Sequence, residues 1–107
     1  MVLIQLLLPV NTSDGQDAAR QAFALTRREL TDRFGGMTAY LRAPAVGVWT
    51  SPDGEREQDD VVMVEIVTER FDRAWWRAYA RTLAGRFAQE AIHVRALATE
   101  LLDDEAR

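Results

Sequence analysis

A chain of 107 residues, 48% hydrophobic and 28% charged, has the length of one domain (1–107) and the composition of an ordinary soluble globular protein. It has no cysteine, which excludes disulfides, iron–sulfur clusters and thiolate metal sites. The net charge of −4 argues against a nucleic-acid partner, because phosphate binding needs a positive field; the 13 basic residues, all arginine, still leave room for a local basic patch.

Val2 to Leu8 is a nearly continuous apolar run ending at Pro9, with Gln5 its only polar member. Such a run is expected of a strand buried on both faces, hence central in a sheet. Met1 to Pro9 has no basic lead and no small-residue cleavage site, so it is not read as a signal peptide. No run approaches the ~20 apolar residues of a membrane span, so no membrane partner is expected and a cytoplasmic location is the default.

Pro9 to Asp14 reads as a loop. Ser13 or Asp14 is placed to cap a first helix, and Ser13 with Gln16 matches a capping box. Ala19, Phe23, Thr26, Leu30 and Phe34 recur at spacings of three or four and share the buried face. Glu29 with Arg33, and Arg28 with Asp32, are spaced to pair across one turn of the outer face. Gly35 and Gly36 stop the helix, since glycine accepts the left-handed cap.

Met37 to Thr50 alternates as an extended strand interrupted by Pro44. Proline cannot donate to a ladder, so this strand belongs at an edge, or is bulged or broken there. Ser51-Pro-Asp-Gly is a turn signal, and the acidic stretch on to Asp60 reads as a solvated hairpin tip. Val61 to Thr68 is rich in β-branched residues, with Glu65 its one charged interior position. Asp72 is placed to cap a second helix from Arg73 to Phe87, with Trp76, Tyr79, Ala80, Leu83 and Phe87 as its buried stripe and Trp75 at the border. Arg73, Arg77 and Arg81 recur on another side. Ala91 to Leu101 reads as a last strand and Asp103 to Arg107 as a tail.

The order strand, helix, strand, strand, helix, strand is the ferredoxin-like βαββαβ plan. This is an α+β fold with a four-stranded antiparallel sheet and both helices on one face. Right-handed crossovers give the strand order 4-1-3-2, with the two apolar strands in the middle and the proline-bearing strand at an edge.

Alternation assigns the face that the helices leave open. If Gln5 and Glu65 point away from the helices, so do Leu3, Leu7, Val61, Met63 and Val67. His93, Arg95, Leu97 and Thr99 join from the last strand, and Tyr40 and Arg42 from the second; Trp49 depends on how Pro44 shifts the register. A large apolar face is expected to be covered by a second subunit or to hold a ligand. Symmetric dimers are the commonest oligomers, so a homodimer is the expected partner, with Glu65 and Arg42 or Arg95 as an interfacial ion pair.

His93 is the one histidine. With Glu65 on the same face it is the candidate acid–base pair of a cofactor-independent enzyme. Tyr40, Arg42, Trp49, Gln5 and Arg95 are the candidate ligand-binding residues. No metal site and no cofactor is expected, since a lone histidine without cysteine suits no transition metal and the acidic turn (Asp53, Glu55, Glu57, Asp59, Asp60) lacks EF-hand spacing. The arginine stripe of the second helix has the chemistry to meet phosphate or an acidic partner, and a solvated helix face is its ordinary explanation. The RNA-recognition module shares the plan but needs stacking aromatics on its central strands, and these have none. The expected function is a homodimeric protein binding a small molecule or a protein partner through the open face; the alternative is the cofactor-independent enzyme.

In Arg33-Phe-Gly-Gly-Met-Thr, in Gly47-Val-Trp49 ahead of a Pro-Asp-Gly turn, and in Arg86-Phe-Ala-Gln-Glu-Ala-Ile92, the chain resembles a group of small bacterial proteins of uncharacterised activity. The resemblance covers most of the chain and implies the ferredoxin-like plan and a bacterial origin, but no activity and no catalytic residue. More loosely, the topology and apolar open face are similar to those of dimeric ferredoxin-like proteins, which include cofactor-independent monooxygenases, isomerases and stress-responsive barrels. Those proteins pair open sheet faces around a small apolar cavity; the likeness is one of fold, which does not by itself fix function.

Overall fold

The computed structural model describes residues 1–50 and 56–102, with side chains over 1–39 and 61–102. Its elements are β1 (Val2–Pro9), α1 (Gln16–Phe34), β2 (Thr38–Thr50), β3 (Arg56–Thr68), α2 (Arg73–Arg86) and β4 (His93–Ala98). The strands form one antiparallel sheet in the order β2-β3-β1-β4, which is the expected 4-1-3-2 counted from the other edge. The fold is ferredoxin-like α+β.

The central strand β1 alternates sharply. Ile4, Leu6 and Leu8 are buried, with Val64 and Ile66 of β3, against Leu30 of α1, Trp76 and Leu83 of α2, and Phe87 just after it. Leu3, Gln5 and Leu7, between them, are only half-buried. The position of β1 is the expected one, yet the helices cover a single face of it.

Helix boundaries follow local chemistry, with one correction. Neither Ser13 nor Asp14 caps α1; its N-cap is Gly15, at φ +101° and with no side-chain cap bond. Thr12 organises the preceding turn instead. Its carbonyl accepts from the Gly15 N–H at 2.9 Å, and its Oγ1 accepts from the Asp14 N–H at 3.2 Å. At the other end Gly35 adopts the left-handed conformation at φ +79°, and its N–H donates to the Thr31 carbonyl at 2.8 Å. Asp72 caps α2 as expected, its Oδ1 accepting from the Trp75 N–H at 3.0 Å. This helix ends at Arg86, and Phe87 is its buried C-cap.

Pro44 lies at an edge and at an irregularity together. The β2–β3 register jumps from Tyr40↔Met63 to Ala45↔Val61, which leaves residues 41–44 opposite Val62 alone. Beyond this bulge β3 differs from expectation. Arg56 to Asp60 is not a turn but continues the ladder, paired with Val46 to Thr50. The β-branched residues of β2 supply a partner strand that overrides the poor strand propensity of the acidic one. Asp53 and Glu55 lie outside the described residues, as do the side chains of Glu57, Asp59 and Asp60. The last strand is shorter than Ala91–Leu101: Ala98 pairs with Val2, where β1 begins, while at the other end pairing starts at His93 with Leu7 although β1 continues to Pro9. Ile92 packs into the core instead.

The outer-face pair Glu29–Arg33 does not form. Glu29 faces the last turn of α2, where Arg86 grips it with both guanidinium nitrogens, at 2.6 and 3.1 Å. The Tyr79 hydroxyl donates to the same carboxylate at 2.8 Å, and Arg86 also donates to the buried Thr26 Oγ1 at 3.0 Å. Arg86 holds the Glu29 carboxyl below the usual carboxylate range. Burial, reinforced by the bond to Glu29, pushes the Tyr79 hydroxyl up to about 12. Arg33 lies over the Trp75 ring instead, 4.1 Å from its centroid. Phe34 stacks on Trp76 and meets Trp75 edge-on. Among the described residues the ion pairs are Arg20–Asp17 and Arg86–Glu29, so Arg28–Asp32 is also absent.

Candidate functional site

Successive side chains of a strand point to opposite faces, and directly paired residues of neighbouring strands share a face. The register therefore fixes the open face row by row. Gln5 is paired with Glu65 on one side and Arg95 on the other, and Glu65 is paired in turn with Thr38. This gives a straight polar row across the whole sheet: Thr38, Glu65, Gln5, Arg95. Gln5 Nε2 donates to Glu65 Oε2 at 2.9 Å, which orients both groups.

One apolar row and one that is apolar except for His93 flank the polar one. On one side Leu3 stands between Val67 and Leu97. On the other Leu7 stands between Met63 and His93. Val67 is 40% and Leu97 45% exposed, high values for large aliphatic side chains on a sheet. Val61 shares the parity of this face but is buried, and Thr99 lies just beyond β4.

The candidate residues are thus only partly brought together. Gln5, Glu65 and Arg95 lie in one row. His93 is exposed and sits in the next row and two strands away from Glu65, with Leu7 and Gln5 between them. Two strand spacings and two residues of rise put their backbones about 12 Å apart. The backbone of Tyr40 pairs with Met63, Arg42 falls in the bulge and Trp49 pairs with Glu57; the side chains of all three lie outside those described. Arg73, Arg77 and Arg81 are all exposed on α2. Thr38 is the member of the row that the sequence did not reveal. Its place depends on the β2 register, which the bulge at Pro44 hides.

Among the described residues no helix is long and apolar enough to cross a membrane. No protein-family model and no curated protein sequence matches the chain. Solved structures do match in shape. One is a point variant of CutA1 from Pyrococcus horikoshii OT3, with a TM-score of 0.56 and 10% identity, over 97% of this chain and 88% of that one. Another is a phage SAM lyase in its apo state, with a TM-score of 0.54 and 16% identity, over 90% of this chain and 78% of that one. At such identities the likeness is one of fold alone.

Proposed function

We propose that this protein is a homodimeric binding protein that works through its open sheet face, where a second copy covers the apolar rows and a small organic molecule or a protein partner is held. One observation carries the reading. β1 is apolar on both sides, as a doubly covered strand is, yet the helices cover only one of them. Leu3 and Leu7 are left half-buried, with Val67 and Leu97 exposed on either side of Leu3. Burying apolar area gains about 25 cal/mol per Å², so a contiguous patch of this kind favours a cover.

The enzyme alternative, with His93 and Glu65 as acid and base, has less support. A direct proton relay needs heavy atoms within about 3 Å, or one bridging water, and the two residues stand in different rows on strands that are not neighbours.

Sedimentation velocity across a concentration series tests the reading. The wild-type chain is expected to sediment as a dimer. Leu97→Glu, which places a charge on an exposed and tolerant position, is expected to shift it to monomer with an unchanged circular dichroism spectrum. A wild-type chain that stays monomeric at tens of micromolar overturns the proposal, as does a Leu97→Glu variant that dimerises unchanged.

A further inference from the structure

Resting on that reading, we infer that the polar row fixes how the two copies meet: the twofold axis runs along β1, and Glu65 of each copy bonds Arg95 of the partner subunit. Glu65 and Arg95 are both direct neighbours of Gln5, on opposite sides of it. They are therefore equidistant from β1 and opposite in charge. A twofold axis parallel to β1 and lying between the facing sheets exchanges left and right without shifting rows. It sets Glu65 over the partner's Arg95, and Arg95 over the partner's Glu65, as one isologous contact made twice.

The other simple axis, perpendicular to the strands, gives the opposite result. It sets Glu65 over the partner's Glu65 and Arg95 over the partner's Arg95, and like charges brought face to face are costly. The charge pattern thus selects one of the two orientations. Facing sheets pack ~10 Å apart, a gap that a glutamate and an arginine reaching from opposite sides can span.

The side chains are disposed for this. Glu65 is half-buried, Gln5 donates to its Oε2, and a carboxylate has about four lone-pair sites, so it can accept the partner's arginine in addition to the bonds it makes within the chain. Arg95 is exposed, and among the described residues it forms no ion pair. The same axis lays Leu97 over the partner's Val67, joining two exposed aliphatic groups of the face. The flanking aliphatic residues then shield the ion pairs from water, where charged contacts determine register and partner more than total affinity.

Charge reversal tests the geometry by sedimentation and subunit exchange. Glu65→Arg alone and Arg95→Glu alone each place like charges together, and each is expected to weaken dimerisation by about a hundredfold or more. An equimolar mixture of the two is expected to form a heterodimer, and the double variant Glu65→Arg/Arg95→Glu to dimerise as wild type does. The decisive mixture is wild type with the double variant: the axis along β1 forbids that heterodimer, whereas the perpendicular axis favours it. Should either single reversal fail to fold, Glu65→Gln and Arg95→Gln replace it, each expected to weaken the dimer about tenfold or more. Single variants that dimerise like wild type, or exchange between wild type and the double variant, overturn the pairing while leaving the dimer intact. A monomeric wild type overturns the dimer itself.

Discussion

Replacing Arg86 by methionine keeps most of the side chain's length and removes its charge and donors. Three hydrogen bonds are lost, two to Glu29 and one to Thr26. A bond to a charged group contributes ~1.5–3 kcal/mol net. The sum must be discounted, because the Glu29 side chain is 38% exposed and water replaces part of what is lost, while that of Arg86 is 15% exposed. A loss of about 2–3 kcal/mol remains, or roughly 8–15 °C in Tm for a chain of this size. Urea unfolding at fixed protein concentration reads it. Arg81→Met, at an exposed position of the same helix, serves as control and is expected within about 0.5 kcal/mol of wild type. The pH dependence supplies a second check. The lowered value of Glu29 in the fold means that its contribution is complete above the unfolded glutamate value of ~4.3 and is lost as pH falls through the lower folded value. Arg86→Met should flatten that acid limb. A variant within 0.5 kcal/mol of wild type at pH 7, or one that keeps the full acid limb, refutes the assignment of Glu29 and Arg86 as the clasp between the helices.

At the alkaline end Tyr79 contributes a pH dependence of its own. Its hydroxyl, raised from about 10 to about 12, favours the fold below pH 10, and that contribution, of order 3 kcal/mol, is lost as pH rises through 12. Tyr79→Phe should therefore be less sensitive than wild type between pH 10 and 12 in urea titrations, and equal slopes would contradict the assignment. Gly35→Ala should cost ~1 kcal/mol in the same assay, because a Cβ there meets nothing within 4 Å and only the positive φ opposes it. Gly36→Ala, also in open space but without that φ, should cost little.

What the sequence made legible was what single residues decide locally. Pro44 cannot donate to a ladder and cannot sit in a central strand, Gly35 accepts the left-handed turn that ends α1, and Asp72 reaches an orphan N–H of α2. The parity of β1 and β3 then placed Gln5 and Glu65 on the open face without knowledge of any contact. Pairings that depend on how distant segments approach were not legible. Arg33 and Glu29 have a helical spacing suited to an ion pair, but Arg86 lies 57 residues from Glu29 in the chain and prevails because it is more buried and binds through two nitrogens. Likewise Arg56–Asp60 has a turn-like, acidic composition, and only the strand opposite it makes it β. The cap of α1 failed for a smaller reason: Ser13 or Asp14 was expected to cap it, but Thr12 holds a turn that places Gly15 at the N-cap, with no side-chain cap bond.

Two polar clusters among the described residues differ in a way that bears on how the protein works. Between the helices, Arg86 finds the Glu29 carboxylate and the Thr26 hydroxyl, and Tyr79 donates to the same carboxylate, so that cluster finds its partners within the chain. In the polar row of the sheet Glu65 is oriented by Gln5, while Arg95, at the far end and exposed, has no ion pair among the described residues. A charged row set between mainly apolar ones is a poor way to stabilise a sheet in water, because it interrupts apolar area with groups that are costly to desolvate. It is an effective way to specify an orientation, since apolar rows alone would tolerate sliding and reversal, and opposite charges at equal distances from β1 tolerate neither. The row thus makes better physical sense as half of a contact than as a finished surface.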